Sequence, residues 1–429
     1  MKRASIVVGA FCVLLFAAAA QVWSVNFRDD GDASPSPPVP ASPVQMERGA
    51  YLARAGNCMA CHTRRGGAPY AGGRGIETPF GTVYSSNLTP DPATGIGQWT
   101  PADFWRALHH GRSRDGRLLS PAFPYTSTTH IKRADADAMF AWFMSLPPTV
   151  EPRRPDTLRW PLGTQAALAV WRALYFRAGA PPDDTAQSAE WQRGAYLVRA
   201  LGHCGECHTA RNALGALRHS ADLGGGWVPR QNWYAPSLRS GTEAGVAAWE
   251  PAQIVDLLKT GQSQRGQVTG PMADVVQHST QHLGEADLAA MALYLKSLPQ
   301  NAATVPRADP AAPADSPAKA RQGARLYQDH CAKCHGERGE GVPGAYPALA
   351  GNRAVTMPQT TNLVQVVLHG GFAPATAGNP RPFGMPPYLL VLDDAGIAAV
   401  LTHLRASWGN AAAAVSELDV NRVRAAQGR

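Results

Sequence analysis

The chain has 429 residues, 45% of them hydrophobic, enough for about two to four domains with substantial cores, which excludes wholesale disorder. Thirty-six prolines and 42 glycines call for long connections and loop-rich domains. The formal charge is +8, but arginines are spread along the chain with no basic stripe interleaved with aromatics, so nucleic-acid binding is not expected.

Lys2 and Arg3 form a short basic start, and an apolar run begins at Ala4. Ala18-Ala19-Ala20 before Gln21 fits a small-residue cleavage site, so 1–27 reads as a secretory signal. The apolar character continues through Val22, Trp23, Val25 and Phe27, and the 24 residues from 4 to 27 are also long enough for an uncleaved membrane anchor, which the added length slightly favours. Either way the basic end stays inside and the remainder is exported. Residues 28–45 form a linker, rich in Pro and Ser from Ser34 to Pro43.

Cys12 lies in this leader, and the other six cysteines form the pairs Cys58/Cys61, Cys204/Cys207 and Cys331/Cys334. Export makes disulfides the first expectation, but each pair is followed at once by a histidine: His62, His208 and His335. C-x-x-C-H is the attachment sequence of c-type haem. Two thiols add to the two vinyl groups on one porphyrin edge, and the next residue then falls beneath the ring, where its imidazole can bind iron. A zinc site would need four ligands and would leave one pair over. A thioredoxin-like motif needs a βαβ context that is absent around all three pairs. Three covalently bound haem c groups would bring roughly six propionate charges and leave about +2, so the basic balance does not itself point to a partner.

The motifs sit inside a longer repeat. Arg48-Gly49-Ala50-Tyr51-Leu52, Arg193-Gly194-Ala195-Tyr196-Leu197 and Gln322-Gly323-Ala324-Arg325-Leu326-Tyr327 precede them, each as a short amphipathic helix. Trp99-Thr100-Pro101-Ala102 matches Trp249-Glu250-Pro251-Ala252, Gly111 matches Gly261, and Gly370 ends the comparable stretch of the third copy. Closing helices are expected over 134–146, 285–298 and 393–408. The domains follow: 46–148, 188–299 and 319–410, joined by a linker with an apolar helix at 149–187 and a Pro/Ala-rich linker at 300–318, with a tail at 411–429. The helix over 166–176 is expected to pack on a neighbouring domain, with a membrane surface or another subunit as the alternatives.

An electron-transfer haem takes a sixth ligand, usually Met or His. Met272 in Gly270-Pro271-Met272 and Met385 in Gly384-Met385-Pro386 stand at comparable distances after Gly261 and Gly370, among residues that stiffen a loop. The first copy has Phe123 in that window, which offers no lone pair. His109, His110, His130, Met139 and Met144 are its remaining candidates, and its sixth ligand stays unassigned.

With these motifs, together with Asn87-Leu88-Thr89-Pro90-Asp91 and Thr94-Gly95-Ile96-Gly97-Gln98-Trp99, the chain resembles the trihaem cytochrome c subunits of membrane-bound bacterial alcohol, aldehyde and gluconate dehydrogenases. The resemblance covers nearly everything after residue 45. It implies a mostly α, loop-rich fold of three tandem class I cytochrome c-like domains behind the N-terminal signal or anchor helix. It also implies electrons accepted from a catalytic dehydrogenase subunit of the flavin, quinone-cofactor or molybdenum type. They would pass to ubiquinone or another respiratory acceptor at the periplasmic side of the inner membrane, with the chain anchored or peripheral. The family's first domain often carries Met where this chain has Phe123. No substrate site is legible: there is no dinucleotide glycine fingerprint, nucleophile motif or acid pair. The competing expectation is a haem enzyme that turns over a small substrate or peroxide at an open first iron.

Overall fold

The computed structural model describes residues 2–27, 42–179, 184–300 and 317–426. They fall into two compact units, one of residues up to 183 with 199–203, the other of 184–198 with 204 onward.

The first unit contains α1 (Lys2–Phe27), α2 (Pro43–Ala55), α3 (Cys58–His62), the hairpin β1 (Gly75–Thr78) and β2 (Gly81–Tyr84), α4 (Pro101–His110), α5 (Tyr125–Thr128), α6 (Arg133–Phe143) and α7 (Gln165–Tyr175). The second contains α8 (Ala189–Tyr196), α9 (Gly205–His208), β3 (Gly226–Val228), β4 (Trp233–Ala235), α10 (Pro251–Thr260), β5 (Gln262–Ser263), β6 (Gly266–Gln267), α11 (Pro271–His278) and α12 (Glu285–Ser297). It continues with α13 (Pro317–His330), α14 (Ala332–His335), α15 (Arg353–Thr356), α16 (Thr361–His369), β7 (Gly371–Phe372), β8 (Gly384–Met385), α17 (Asp394–Ala406) and α18 (Glu417–Ala426). All four sheets of the described residues are two-stranded and antiparallel.

One helix crossing occurs three times, and glycine makes it possible. α2 packs on α6, α8 on α12 and α13 on α17. At each crossing the glycine of the sequence repeat lies against a carbonyl of the closing helix. A Cβ on Gly49 would stand 2.0 Å from the Ala138 oxygen, one on Gly194 2.0 Å from that of Ala290, and one on Gly323 2.3 Å from that of Ala399. The same added atoms would also crowd the Cβ of Trp142, Tyr294 and His403, respectively. The flanking arginine pins the crossing in two copies: Arg48 Nε donates to Asp135 at 2.8 Å and Arg193 Nε to Asp287 at 2.8 Å. The third copy has Gln322 and Gly396 at these places, and its crossing is held by an apolar core around Tyr327, Leu368, Ile397 and Leu401.

The connecting helices α4 and α10 explain the Trp-x-Pro-Ala repeat. Pro101 and Pro251 occupy the first helical turn, where a missing N–H costs nothing. Capping boxes start both helices, Thr100 with Asp103 and Glu250 with Gln253. Gly111 and Gly261 end them with positive φ, 57° and 78°.

Several segments differ from the linear reading. Helix α7 belongs to the first unit itself: Leu168 and Ala169 pack with Leu118 and Val22 of α1. Arg172 is 1% exposed, and its Nε donates to Asn26 Oδ1 at 2.7 Å, while Asn26 Nδ2 donates to the Ala169 carbonyl at 3.0 Å. The stretch before α7 is no free linker either. Thr157 N–H bonds to Thr82 O and Arg159 N–H to Phe80 O, which extends the β1–β2 hairpin. Of residues 411–429, expected as a tail, those described pack on the domain: α18 buries Val420 and Val423 in the core of the third copy, and Arg424 Nε bonds to Asp394 at 2.6 Å. Its buried apolar residues are two valines, too faint a pattern to read among charges. Residues 43–45, placed in the first linker, open α2, whose N-cap is Ser42. The rest of that linker and most of 300–318 lie outside the described residues. The leader is helical from Lys2 to Phe27, and among the described residues no helix is long and apolar enough to cross a membrane.

Gly194→Ala should lower stability by about 1–3 kcal/mol, because the added methyl overlaps a backbone carbonyl that cannot rotate away. Thermal unfolding of the purified variant against the parent checks this.

Candidate haem sites

Each C-x-x-C-H motif folds as a single helical turn that presents two thiols and one imidazole together. The chain enters the first turn through Asn57 in the left-handed region, φ 48°. Arg74 donates to the Ala60 carbonyl at 2.6 Å, and Arg211 donates to that of Glu206 at 2.8 Å. These are the same motif position. In the third copy that position is itself basic, Lys333. Arg74 and Arg211 were not legible as partners of the motif, since one lies 13 residues beyond its second cysteine and the other four.

The histidines share a second feature, made wholly by backbone. His62 Nδ1 lies 2.7 Å from the Ser86 carbonyl, His208 Nδ1 2.7 Å from that of Pro236, and His335 Nδ1 2.9 Å from that of Pro347. A carbonyl only accepts, so each ring carries its proton on Nδ1 and keeps the lone pair on Nε2. Burial pushes all three imidazoles below their ordinary pKa, against the smaller opposing effect of the backbone bond. The neutral, metal-binding form is therefore the stable one near neutral pH.

The acceptor carbonyl stands just past a short antiparallel pairing in each copy: after β2, after β4, and after the isolated bridge between Val342 and Tyr346. Glycine lets this segment pass close to the histidine. The carbonyls of His62, His208 and His335 accept from the N–H groups of Gly72, Gly225 and Gly341 at 2.7, 2.8 and 2.8 Å. All three glycines have positive φ. A Cβ on Gly72 would meet Ser86 at 2.5 Å and one on Gly341 would meet Pro347 at 2.6 Å.

The Asn-Leu-Thr-Pro-Asp segment now has a purpose, because it follows Ser86 directly. Asn87 is buried and bonds to Thr89 N–H, Thr94 Oγ1 and the Thr149 carbonyl. Asp91 Oδ1 accepts from the Thr94 hydroxyl at 2.7 Å and from the N–H groups of Thr94 and Ala93. These bonds, the Thr94 hydroxyl first, hold its carboxyl below the usual range. The loop that positions the Ser86 carbonyl is thus closed by its own polar side chains and tied by them to the backbone of Thr149 and Glu151.

All seven cysteines are free of disulfides. Burial pushes the Cys58 thiol up to about 12 and Cys331 to about 11, each raised further by its partner cysteine, and Cys61 also upward. The neutral thiol is therefore the favoured form of these side chains. Among the described residues no group of three or more His, Cys, Asp or Glu could hold a metal ion.

Of the expected sixth ligands, Met272 is the second residue of α11, behind Pro271 and Gly270. Met385 lies in β8, paired with Gly371, and packs on the third copy's core. Phe123 is half-buried in a turn ahead of α5, with no counterpart of the first turn of α11. Met139 is 2% exposed on α6 and matches Met291, 3% exposed on α12. His130 follows Thr128, whose hydroxyl bonds to Leu108 O, just as His282 follows Thr280, bonded to Leu258 O. Both Met139 and His130 thus recur in the copy that already has Met272. His109 stacks on Trp105 at 4.3 Å and meets His110 edge-on at 4.7 Å. Met144 caps α6.

A thiol pair and a tautomer-locked imidazole on one turn define a cytochrome c. The cytochrome c family profile matches residues 320–408. Over 402 residues the chain is 40% identical to the cytochrome c subunit of alcohol dehydrogenase (quinone) from Gluconobacter oxydans (strain 621H), covering 90% of this chain and 83% of that one. It is 38% identical over 407 residues to the gluconate 2-dehydrogenase cytochrome c subunit of Pantoea cypripedii, 90% of each chain. It is 36% identical over 420 residues to the fructose dehydrogenase cytochrome subunit of Gluconobacter japonicus, 92% of this chain and 86% of that one. The chain belongs to this family of dehydrogenase cytochrome c subunits, and its function is electron transfer.

The Asp91 carboxylate has a depressed pKa in the folded chain, so its contribution is full above the ordinary aspartate value, about 3.9, and is lost as pH falls through the lowered one. Asp91→Ala should unfold at lower temperature than the parent at pH 6–7, with the gap closing in strong acid. A gap independent of pH would contradict this.

Proposed function

We propose that the chain carries three covalently bound haem c groups and relays electrons from a catalytic dehydrogenase to a respiratory acceptor such as ubiquinone. Cys58 and Cys61, Cys204 and Cys207, and Cys331 and Cys334 hold the porphyrins, and His62, His208 and His335 supply the fifth iron ligands. The observation that carries this reading is the threefold Nδ1–carbonyl bond, which orients each imidazole and raises its basicity towards iron. Met272 and Met385 complete the second and third sites. The bound haems supply one-electron redox chemistry, and the protein's part is ligation, burial and hydrogen bonding.

The partner is a dehydrogenase at the periplasmic face of the inner membrane, for which the relatives' names give alcohol, gluconate and fructose as substrate types. The apolar leader serves as export signal or anchor, and the bond between Asn26 and Arg172 ties its far end to the first unit. Phe123 sets the first haem apart, since neither Met139 nor His130 is peculiar to that copy.

Met272→Ala and Met385→Ala should each lower the potential of one haem, because methionine ligation raises it. Near-infrared magnetic circular dichroism should show two His/Met haems in the ferric parent and one in either variant. The purified chain alone should oxidise no alcohol, aldehyde or sugar, while cognate dehydrogenase plus substrate should reduce its haems. Substrate or peroxide turnover by the chain alone would contradict the relay function, and three equivalent His/Met haems would contradict the separate status of the first site.

A further inference from the structure

The second and third copies lie in one compact unit, and each reaches into the other's ligand-bearing segment. From the third copy, Asn362 of α16 places its side-chain amide against the backbone of Tyr234. Its Oδ1 accepts from Tyr234 N–H at 2.9 Å and its Nδ2 donates to Tyr234 O at 2.6 Å. Tyr234 is two residues before Pro236, whose carbonyl orients His208. The same segment is held on its other flank by Glu243, which accepts from Ser237 N–H at 2.6 Å and from the Tyr234 hydroxyl at 3.0 Å. Arg353, again from the third copy, fixes the Glu243 carbonyl at 2.9 Å.

The reverse contact uses the same chemistry. Gln281, just beyond α11, donates from Nε2 to Ala375 O at 2.9 Å and accepts at Oε1 from Ala377 N–H at 3.2 Å. Gln277 of α11 accepts from Ala375 N–H at 3.3 Å. Ala375 and Ala377 belong to the loop between β7 and β8, and β8 carries Met385. Side-chain amides thus act as short strand edges, each satisfying backbone groups of the other copy. A side chain shared with one rigid neighbour is free to adjust, but a backbone segment clamped at two groups is not.

We propose that the middle and third haem sites set each other's axial geometry, with Asn362 as a positioning residue for His208, and Gln277 and Gln281 as positioning residues for Met385. This rests on the ligand assignment above. It makes a prediction that local destabilisation does not: effects cross from one copy to the other, with opposite sign. Loosening the Pro236 carbonyl weakens the bond that makes the His208 ring a stronger donor to ferric iron, so the middle haem's potential rises. Loosening Met385 weakens the sulfur ligand, so the third haem's potential falls.

The experiment is a spectroelectrochemical titration of the full, matured chain. Met272→Ala and Met385→Ala first assign the two waves to their haems. If neither variant moves a wave, the ligand assignment fails and the crossed effect has no basis. If they do, Asn362→Ala should shift the Met272-labelled wave upward and leave the Met385-labelled wave in place. Gln277→Ala/Gln281→Ala should shift only the Met385-labelled wave, downward, and weaken the far-red methionine-to-iron absorption. Gln281→Glu, which keeps the acceptor and loses the donor, gives a smaller shift of the same sign if the double variant does not fold. Shifts confined to the haem of the mutated copy, or no shift in folded variants, would overturn the proposal.

Discussion

Everything in the sites depends on one short hydrogen bond, from a histidine Nδ1 to a backbone carbonyl. Imidazole has two nitrogens that can each hold the proton, and only one faces the place where iron would sit. Pairing Nδ1 with an atom that can only accept removes the ambiguity. Burial then keeps the ring neutral. The rest of each copy can be seen as the means of bringing that carbonyl to that ring: a short antiparallel pairing to present it, a left-handed glycine beneath it, and a helix crossing that holds the attachment turn.

The means differ between copies while the bond does not. The first copy uses a polar loop around Asn87 and Asp91, anchored on the Thr149 carbonyl. The second uses a hairpin steadied by Glu243 and by groups from the third copy. The third uses a single bridge at Val342 and Tyr346 and an apolar core closed by α18. The crossing arginines, Arg48 and Arg193, likewise pin two of the crossings, and Gln322 takes their place in the third.

Much of this was legible in the sequence because it is carried by residues with one strong meaning. The C-x-x-C-H motifs, the Arg-Gly-Ala-Tyr-Leu segments and the closing helices all stand where their patterns put them, with α12 at Glu285–Ser297 against an expected 285–298. The carbonyl partners were not legible, because a backbone acceptor leaves no trace in residue type: Ser86 and two prolines do the same work. The hairpins were missed because strands of two to four residues are too short to show alternation. Helix α18 and the bonds of Asn362 and Gln281 were hidden for a related reason, since their meaning lies in partners far along the chain.

The number of haems covalently attached to one chain is the most direct test of a three-haem relay. Intact mass of the fully matured protein, read beside its alkaline pyridine spectrum, gives that number. Three haems per polypeptide, falling to two when Cys204 and Cys207 are both replaced by alanine, is the result expected from three equivalent attachment turns. Two or fewer haems on the unaltered chain would contradict it.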